Sequence, residues 1–245
     1  MTTWIVGDIH GCAEELGRLI EHLSLGEEDQ LVSCGDLFHR GPDPAGVMDL
    51  LEAAGAQFIL GNHERKVLQR LGLDPRRADA SDRPPSREHF PPLDFEDLHG
   101  DGNRPCNASP ERRRDLLMFL QKHSGYFLRH TDLSGAGTTA DGRPWVVVHA
   151  GVHPQKRLED HTPFELTRIR RLDKRGNPWW FEEYRGEALV LYGHSSARLP
   201  QARRERGITR TLGIDTGCVY GGALTAYAPE LDEFLRIPAA AAYAA

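Results

Sequence analysis

Three times within the first 64 residues, an apolar run ends on a glycine that is followed at once by a polar side chain able to hold a metal or a phosphate. Trp4-Ile5-Val6 runs into Gly7-Asp8-Ile9-His10-Gly11, Leu31-Val32-Ser33-Cys34 into Gly35-Asp36, and Gln57-Phe58-Ile59-Leu60 into Gly61-Asn62-His63-Glu64. Short apolar runs bounded by glycine read as buried strands. Between them the spacing turns helical: Leu16, Leu19, Ile20 and Leu23 predict a helix over 13–25, and Val47, Leu50 and Leu51 predict one over about 44–54. This alternation restricts the chain to an α/β arrangement with parallel strands. Ligands bind outside the carboxyl ends of such strands, so Asp8, His10, Asp36, Asn62 and His63 are expected to meet in space. Alternation within the first turn sends Asp8 and His10 to one side, where an oxygen and an imidazole nitrogen can converge on a cation. A Gly-Asp turn before a helix also serves as a helix cap. Repetition of the pattern favours the site.

The rest of the chain adds two more instances. Trp145-Val146-Val147-Val148 runs into His149-Ala150-Gly151, and Ala188-Leu189-Val190-Leu191-Tyr192 runs into Gly193-His194-Ser195. A helix is expected over 110–123 and a strand at Tyr126-Phe127-Leu128, with a Gly-rich turn at 135–142. Ile208 to Ile214 and Ala223 to Tyr227 read as a closing pair of strands around the Asp215 to Gly222 block, and residues 233–237 as an edge strand. Trp179-Trp180-Phe181 reads as core or as a loop anchor ahead of a base-stacking platform. The expectation is one domain over 1–238. It carries a polar insertion at 72–109, rich in Pro, Arg, Asp and Gly, and the Ala-rich tail at 239–245 is expected to be loose.

Composition narrows the functional classes. A net charge of -6 argues against an extended nucleic-acid-binding face. With 27% charged and 39% hydrophobic residues and no apolar run near the ~20 residues of a membrane helix, the chain reads as cytoplasmic and independent of a membrane. Cys12, Cys34, Cys106 and Cys218 share no CxxC spacing and are expected to be reduced thiols.

Taken together, five blocks resemble the calcineurin-like metallophosphoesterases of the phosphoprotein phosphatase type, and most of all their small bacterial and phage members. The blocks are Gly7-Asp8-Ile9-His10-Gly11, Gly35-Asp36 with Arg40-Gly41-Pro42, Gly61-Asn62-His63-Glu64, His149-Ala150-Gly151 and Gly193-His194. The resemblance implies an α/β (α+β) fold, a β-sandwich flanked by helices, with a two-metal site at the strand carboxyl ends. It implies that Asp8 and His10 hold a first divalent ion, that Asp36 bridges both, and that Asn62, His149 and His194 complete the second. An oxygen and nitrogen set without thiolate suits manganese, iron or zinc; the expected cofactor is a pair of divalent ions, manganese first, with iron, zinc, nickel or cobalt as alternatives. The implied reaction is hydrolysis of a phosphoester by attack of a metal-bridging hydroxide. Arg40 and Arg168, or Arg170 from the same Thr167-Arg168-Ile169-Arg170 block, would bind the phosphoryl oxygens with their planar forks. His63 would act as general acid.

The sequence departs from the pattern at His39, where most protein phosphatases of this type carry an aspartate that partners the histidine corresponding to His63. The symmetrical diadenosine tetraphosphatases also lack that aspartate, and their Thr-Arg-Met-Arg block resembles residues 167–170. Loss of the carboxylate favours a better leaving group, hence an anhydride. In contrast, 184–194 and 215–224 look closer to bacterial phosphatases of broad phosphoester activity, including those fused to polynucleotide kinases. The expected substrate is therefore a phosphorylated protein or small phosphomonoester, or alternatively a bis(5'-nucleosyl)-tetraphosphate. A catalytically silent nucleotide-binding protein is the reading from another class. Oligomeric state is not legible from these residues.

Overall fold

The computed structural model describes residues 1–73 and 108–244 of the chain. Its strands form two five-stranded mixed sheets. The first has the order β10-β9-β1-β2-β3, from β1 (Thr3–Val6), β2 (Gln30–Ser33), β3 (Gln57–Phe58), β9 (Ala223–Ala228) and β10 (Glu233–Pro238). The second runs β4-β5-β6-β8-β7, from β4 (Phe127–Arg129), β5 (Trp145–Val148), β6 (Leu189–Tyr192), β7 (Gln201–Glu205) and β8 (Ile208–Gly213). Within each sheet three adjacent strands are parallel: β1, β2 and β3 in one, and β5, β6 and β8 in the other.

Strand alternation explains why the apolar runs are continuous. In β1 and β2, Ile5 and Val32 face one way and Val6 and Leu31 the other, and both faces are buried. Ile5 and Val32 of the first sheet, with Ile59 just beyond β3, share a core with Trp145, Val147, Leu191 and Leu212 of the second, which makes the pair a sandwich. The outer faces are covered by helices: Leu16 and Leu19 of α1 (Ala13–Leu23), Val47 and Leu51 of α2 (Pro44–Ala53) and Leu116 and Leu117 of α4 (Pro110–Leu120) pack in a second core with Val6, Leu31, Val146 and Val148. Each fully buried aliphatic side chain contributes roughly 1.5–3 kcal/mol of transfer free energy. Local chemistry starts the helices. The Asp43 side chain accepts the Gly46 amide at 2.8 Å ahead of α2, and Ser109 caps α4 in the same manner.

Two expectations are corrected. Ile208–Gly213 and Ala223–Ala228 do not pair with each other: β8 lies beside β6 and β7, β9 lies beside β1 and β10, and the intervening block crosses between sheets. The C-terminal residues are not loose. Ala240 N and the Tyr243 hydroxyl both donate to the buried carboxylate of Glu15, at 2.8 and 2.9 Å, and the amides of Tyr243 and Ala244 donate to Val219 O. The insertion read over 72–109 falls, but for its ends, outside the described residues, as does Cys106. No helix among the described residues is long and apolar enough to cross a membrane.

Candidate metal centre

All six parallel strands point their carboxyl ends at one rim, and each is followed by a chemically competent side chain. Asp8 and His10 follow β1, Asp36 follows β2, Asn62 and His63 open α3 (Asn62–Arg70) after β3, and His149, His194 and Asp215 follow β5, β6 and β8. Asp36 sits in the middle. Its Oδ2 lies 3.7 Å from His10 Nε2, 3.8 Å from His63 Nε2 and 3.5 Å from His149 Nε2. Asp8 Oδ2 is 3.9 Å from His10 Nε2. Two groupings of ligand-type atoms therefore share one carboxylate: His10, Asp36 and His63 on one side, and Asp36, His149 and His194 on the other. Asn62 adds its Oδ1 at 3.1 Å from His149 Nε2. The six residues expected as ligands are thus brought together, and His63 stands among them.

The turns that carry these groups are locked to one another. His10 N donates to Asp36 O at 2.8 Å and Gly11 N to Leu37 O at 2.7 Å, which ties the first turn to the second. His194 N donates to both oxygens of Asp8 at 3.1 Å, and His63 N donates to Asp36 Oδ1 at 3.1 Å. Two glycines make room for these carboxylates: a Cβ on Gly61 would stand 2.1 Å from Asp36 Oδ1, and one on Gly193 2.0 Å from Asp8 Oδ1. His10, Asp36, Arg40 and His194 all adopt left-handed backbone, with φ of 50°, 53°, 81° and 64°. Each such residue costs of order 1–3 kcal/mol, and the strain persists only where surrounding bonds over-determine the turn, as here.

Glu64 carries much of that bracing, a role not expected from the sequence alone. It is fully buried, and its carboxylate accepts the amides of Asp36 at 2.8 Å, Leu37 at 2.9 Å and Gly61 at 3.0 Å. It thereby clamps the second turn to the third. Burial, and after it Asp36, pushes its pKa up to about 8. Three converging amides nevertheless need both oxygens as acceptors, which describes a carboxylate. The trace in the sequence is the place of Glu64 three residues after the helix-opening glycine, where a glutamate can reach back to the N-cap amide; glycine has no side chain to reciprocate.

Electrostatics single out Asp36. Burial alone would raise its carboxyl, but His149, His63, His10 and His194 more than offset burial and hold it below the usual carboxylate range. Its neighbours behave oppositely. Burial, then Asp215 and Asp36, pushes Asp8 up, and burial pushes Asp215 up to about 6. Burial lowers His10, and burial followed by His149 lowers His194 to about 2, so both rings are neutral with lone pairs available.

A direct observation bears on the fit of a cation. His149 Nδ1 donates to Cys34 O at 2.9 Å, which turns Nε2 toward the site. Nε2 faces Asn62 Oδ1 at 3.1 Å and Asp36 Oδ2 at 3.5 Å, so one nitrogen and two oxygens of the kind that hold a divalent ion converge there. The set fits such an ion. A carbonyl holding one imidazole nitrogen while the other faces the site is also the usual support of a metal-bound histidine.

Arginines surround a cavity of about 420 Å³ that opens onto the same rim. Arg40, Arg168 and Arg170 all line it. Arg40 Nη1 donates to His10 Nε2 at 3.0 Å, and Arg170 reaches Ser195 Oγ and His194 O, both at 3.3 Å. His39 is buried, its ring 4.9 Å from that of His63. The Trp179-Trp180-Phe181 run divides: Trp180 is core and donates to Ala150 O at 3.1 Å, bracing the His149 turn, whereas Trp179 lines the cavity.

Residues 1–226 match the family model of the calcineurin-like phosphoesterases. The chain is 31% identical to the asymmetrical bis(5'-nucleosyl)-tetraphosphatase PrpE of Halalkalibacterium halodurans, over 96% of this chain and 92% of that protein. It is 29% identical to serine/threonine-protein phosphatase 1 of Salmonella typhimurium, over 91% of this chain and 89% of the relative. Among solved structures, it resembles one assigned provisionally as a diadenosine tetraphosphatase, with a TM-score of 0.67 and 28% identity over 97% of this chain and 93% of the other.

Proposed function

This chain belongs to the calcineurin-like phosphoesterases and is a metal-dependent phosphatase, and from that premise we propose how its residues divide the work and which substrates it takes. The observation that carries the assignment is the position of Asp36, whose one oxygen lies within 3.8 Å of imidazoles from three different turns. In this reading Asp8 and His10 would hold one divalent ion and Asn62, His149 and His194 a second, with the carboxylate of Asp36 available to both sets. Bound there, divalent ions supply Lewis-acid polarisation of the phosphoryl group and a water acidified toward neutral pH. Manganese is the first ion to test, supported by a donor set of oxygen and imidazole nitrogen without thiolate.

The chain's own groups do the rest. Arg40, Arg168 and Arg170, all on the cavity wall, bind and orient the phosphoryl oxygens. His63 holds a proton for the leaving oxygen. Residues 1–238 act as one catalytic domain, supported by the contribution of both sheets to one rim. The described cysteines Cys12, Cys34 and Cys218 are free thiols, which supports a reducing, cytoplasmic setting.

The substrate we favour is a nucleoside polyphosphate such as a bis(5'-nucleosyl)-tetraphosphate. His39 stands where a carboxylate would strengthen His63, and an anhydride, whose leaving phosphate needs little proton donation, asks least of that histidine. Similarity to the PrpE relative supports the same choice. Similarity to the Salmonella phosphatase supports the second reading, phosphoserine and phosphothreonine proteins. Rates on p-nitrophenyl phosphate, a phosphopeptide and diadenosine tetraphosphate, with Mn²⁺ supplied, test both. At least tenfold higher kcat/KM on the dinucleotide than on the peptide supports the anhydride. The reverse order selects the phosphoprotein reading. Tight nucleotide binding with no turnover of any of the three would overturn the catalytic assignment altogether.

A further inference from the structure

The cavity is larger than a phosphoryl group requires. Its volume of about 420 Å³ falls in the range of sites that enclose a whole small molecule, roughly 300–1,000 Å³. Two of its lining residues are aromatic, and neither Tyr220 nor Trp179 has a part in the phosphate chemistry. They neighbour different side chains of the rim. Tyr220 belongs to the His10 side: the Arg40 guanidinium lies 5.7 Å from its ring centroid and reaches His10 Nε2 at 3.0 Å. Trp179 belongs to the His194 side, bridged to Arg171, the neighbour of the Arg170 that holds His194 O.

The two rings differ in what they offer. Trp179 is stacked on Phe181 at 5.4 Å and 15° and carries the Arg171 guanidinium 4.3 Å from its centroid, so it is a braced wall. Tyr220 remains 36% exposed. Its backbone is nonetheless fixed, with Tyr220 N donating to Gly217 O at 3.0 Å and a bridge to Ala242. A rigid, open aromatic ring beside an arginine that faces the reacting centre suits a ligand with a flat base joined through a sugar to a phosphate: the ring takes the base and the guanidinium the phosphate. A phosphoserine or phosphothreonine side chain presents no such flat face.

We propose that Tyr220 is the base-stacking residue of a nucleoside subsite in this cavity, with Trp179 as a second wall, so that substrates are selected for a nucleobase attached to the phosphate chain. The proposal rests on the phosphatase reading given above and deepens it. Tyr220 is a specificity residue, and its contribution is made through KM.

The test compares kcat/KM on diadenosine tetraphosphate and on glycerol phosphate, which has no flat face, for the wild type, Tyr220→Leu and Tyr220→Trp. The ratio of the two is expected to fall roughly 5- to 150-fold in the leucine variant, the span produced by losing one base stack, through a higher KM for the dinucleotide. The tryptophan variant should restore it. A ratio within twofold of wild type in Tyr220→Leu would overturn the proposal, as would an equal loss on a phosphopeptide. Should the leucine protein fail to fold, inhibition of the wild type decides the same question. AMP should inhibit wild-type p-nitrophenyl phosphate hydrolysis at least fivefold more tightly than ribose 5-phosphate, and equal inhibition would refute a base subsite. Absence of p-nitrophenyl phosphate hydrolysis with Mn²⁺ would count against the phosphatase reading, and AMP binding measured directly would still decide the subsite.

Discussion

Replacing Glu64 is expected to damage the site without touching any proposed ligand. Its carboxylate is fully buried and satisfies the amides of Asp36, Leu37 and Gly61 at 2.8, 2.9 and 3.0 Å. In Glu64→Ala all three amides lose their acceptor, and each buried orphan costs about 1–3 kcal/mol, so the low end of the sum is roughly 3 kcal/mol. Against a typical total of about 5–15 kcal/mol that is a large fraction. Glu64→Gln is milder and more diagnostic. With its oxygen placed for Asp36 N and Gly61 N, the amide end meets Leu37 N donor to donor, costing about 1–3 kcal/mol. Urea denaturation of chelator-treated protein reads these losses free of any stabilisation by metal. Because Asp36 hangs on this clamp in a left-handed conformation, kcat/KM should fall at least tenfold with it. A Glu64→Gln protein within about 0.5 kcal/mol of wild type, less than one lost hydrogen bond, and fully active would refute the clamp and the carboxylate state assigned to it.

His63→Gln should leave the metal content intact and slow turnover by roughly 10²–10⁴-fold, measured as kcat beside elemental analysis, if its role is proton transfer. Loss of an ion instead would make it a ligand, as its place beside His10 and Asp36 also allows. Arg168→Ala and Arg170→Ala should each lower kcat/KM by roughly 10- to 150-fold, the span for one charge-assisted contact, and Arg168→Lys should fail to restore the rate, since the fork is what matches two oxygens. At low pH, burial works against the Glu165 carboxylate, but Lys156 and Thr162 hold it down to about 2. Its contribution to stability is therefore full above the unfolded value near 4.5 and lost as pH falls toward 2, so Glu165→Gln should flatten that part of the acid unfolding curve.

Much of this was legible in the sequence because the site is built at strand ends. Each apolar run that stops on glycine reports a strand and its rim residue together, which is why Asp8, His10, Asp36, Asn62, His149 and His194 could be expected to meet. The strand partners of Ile208 and Ala223 were not legible, because the 214–222 block crosses from one sheet to the other and no local pattern records the crossing. Gln201–Glu205 has no apolar alternation, being an edge strand with mostly solvent-facing side chains, and periodicity gave no sign of it. The C-terminal tail looked loose because alanine carries no visible anchor. Its hold lies in backbone amides, one tyrosine and a buried Glu15 more than 200 residues away. Roles for Glu64 and Tyr220 depend on which backbone and which ring stand beside them, and composition does not encode that.

Six side chains holding two ions around Asp36 are the centre of the proposed chemistry. Calorimetric titration of chelator-stripped protein with Mn²⁺, beside the Asp36→Asn variant, addresses it directly. Two ions per chain in the wild type, with weakened binding at both sites and no activity in the variant, is the expected result. A wild type that binds no ion, or an Asp36→Asn protein that keeps both ions and full turnover, would contradict it.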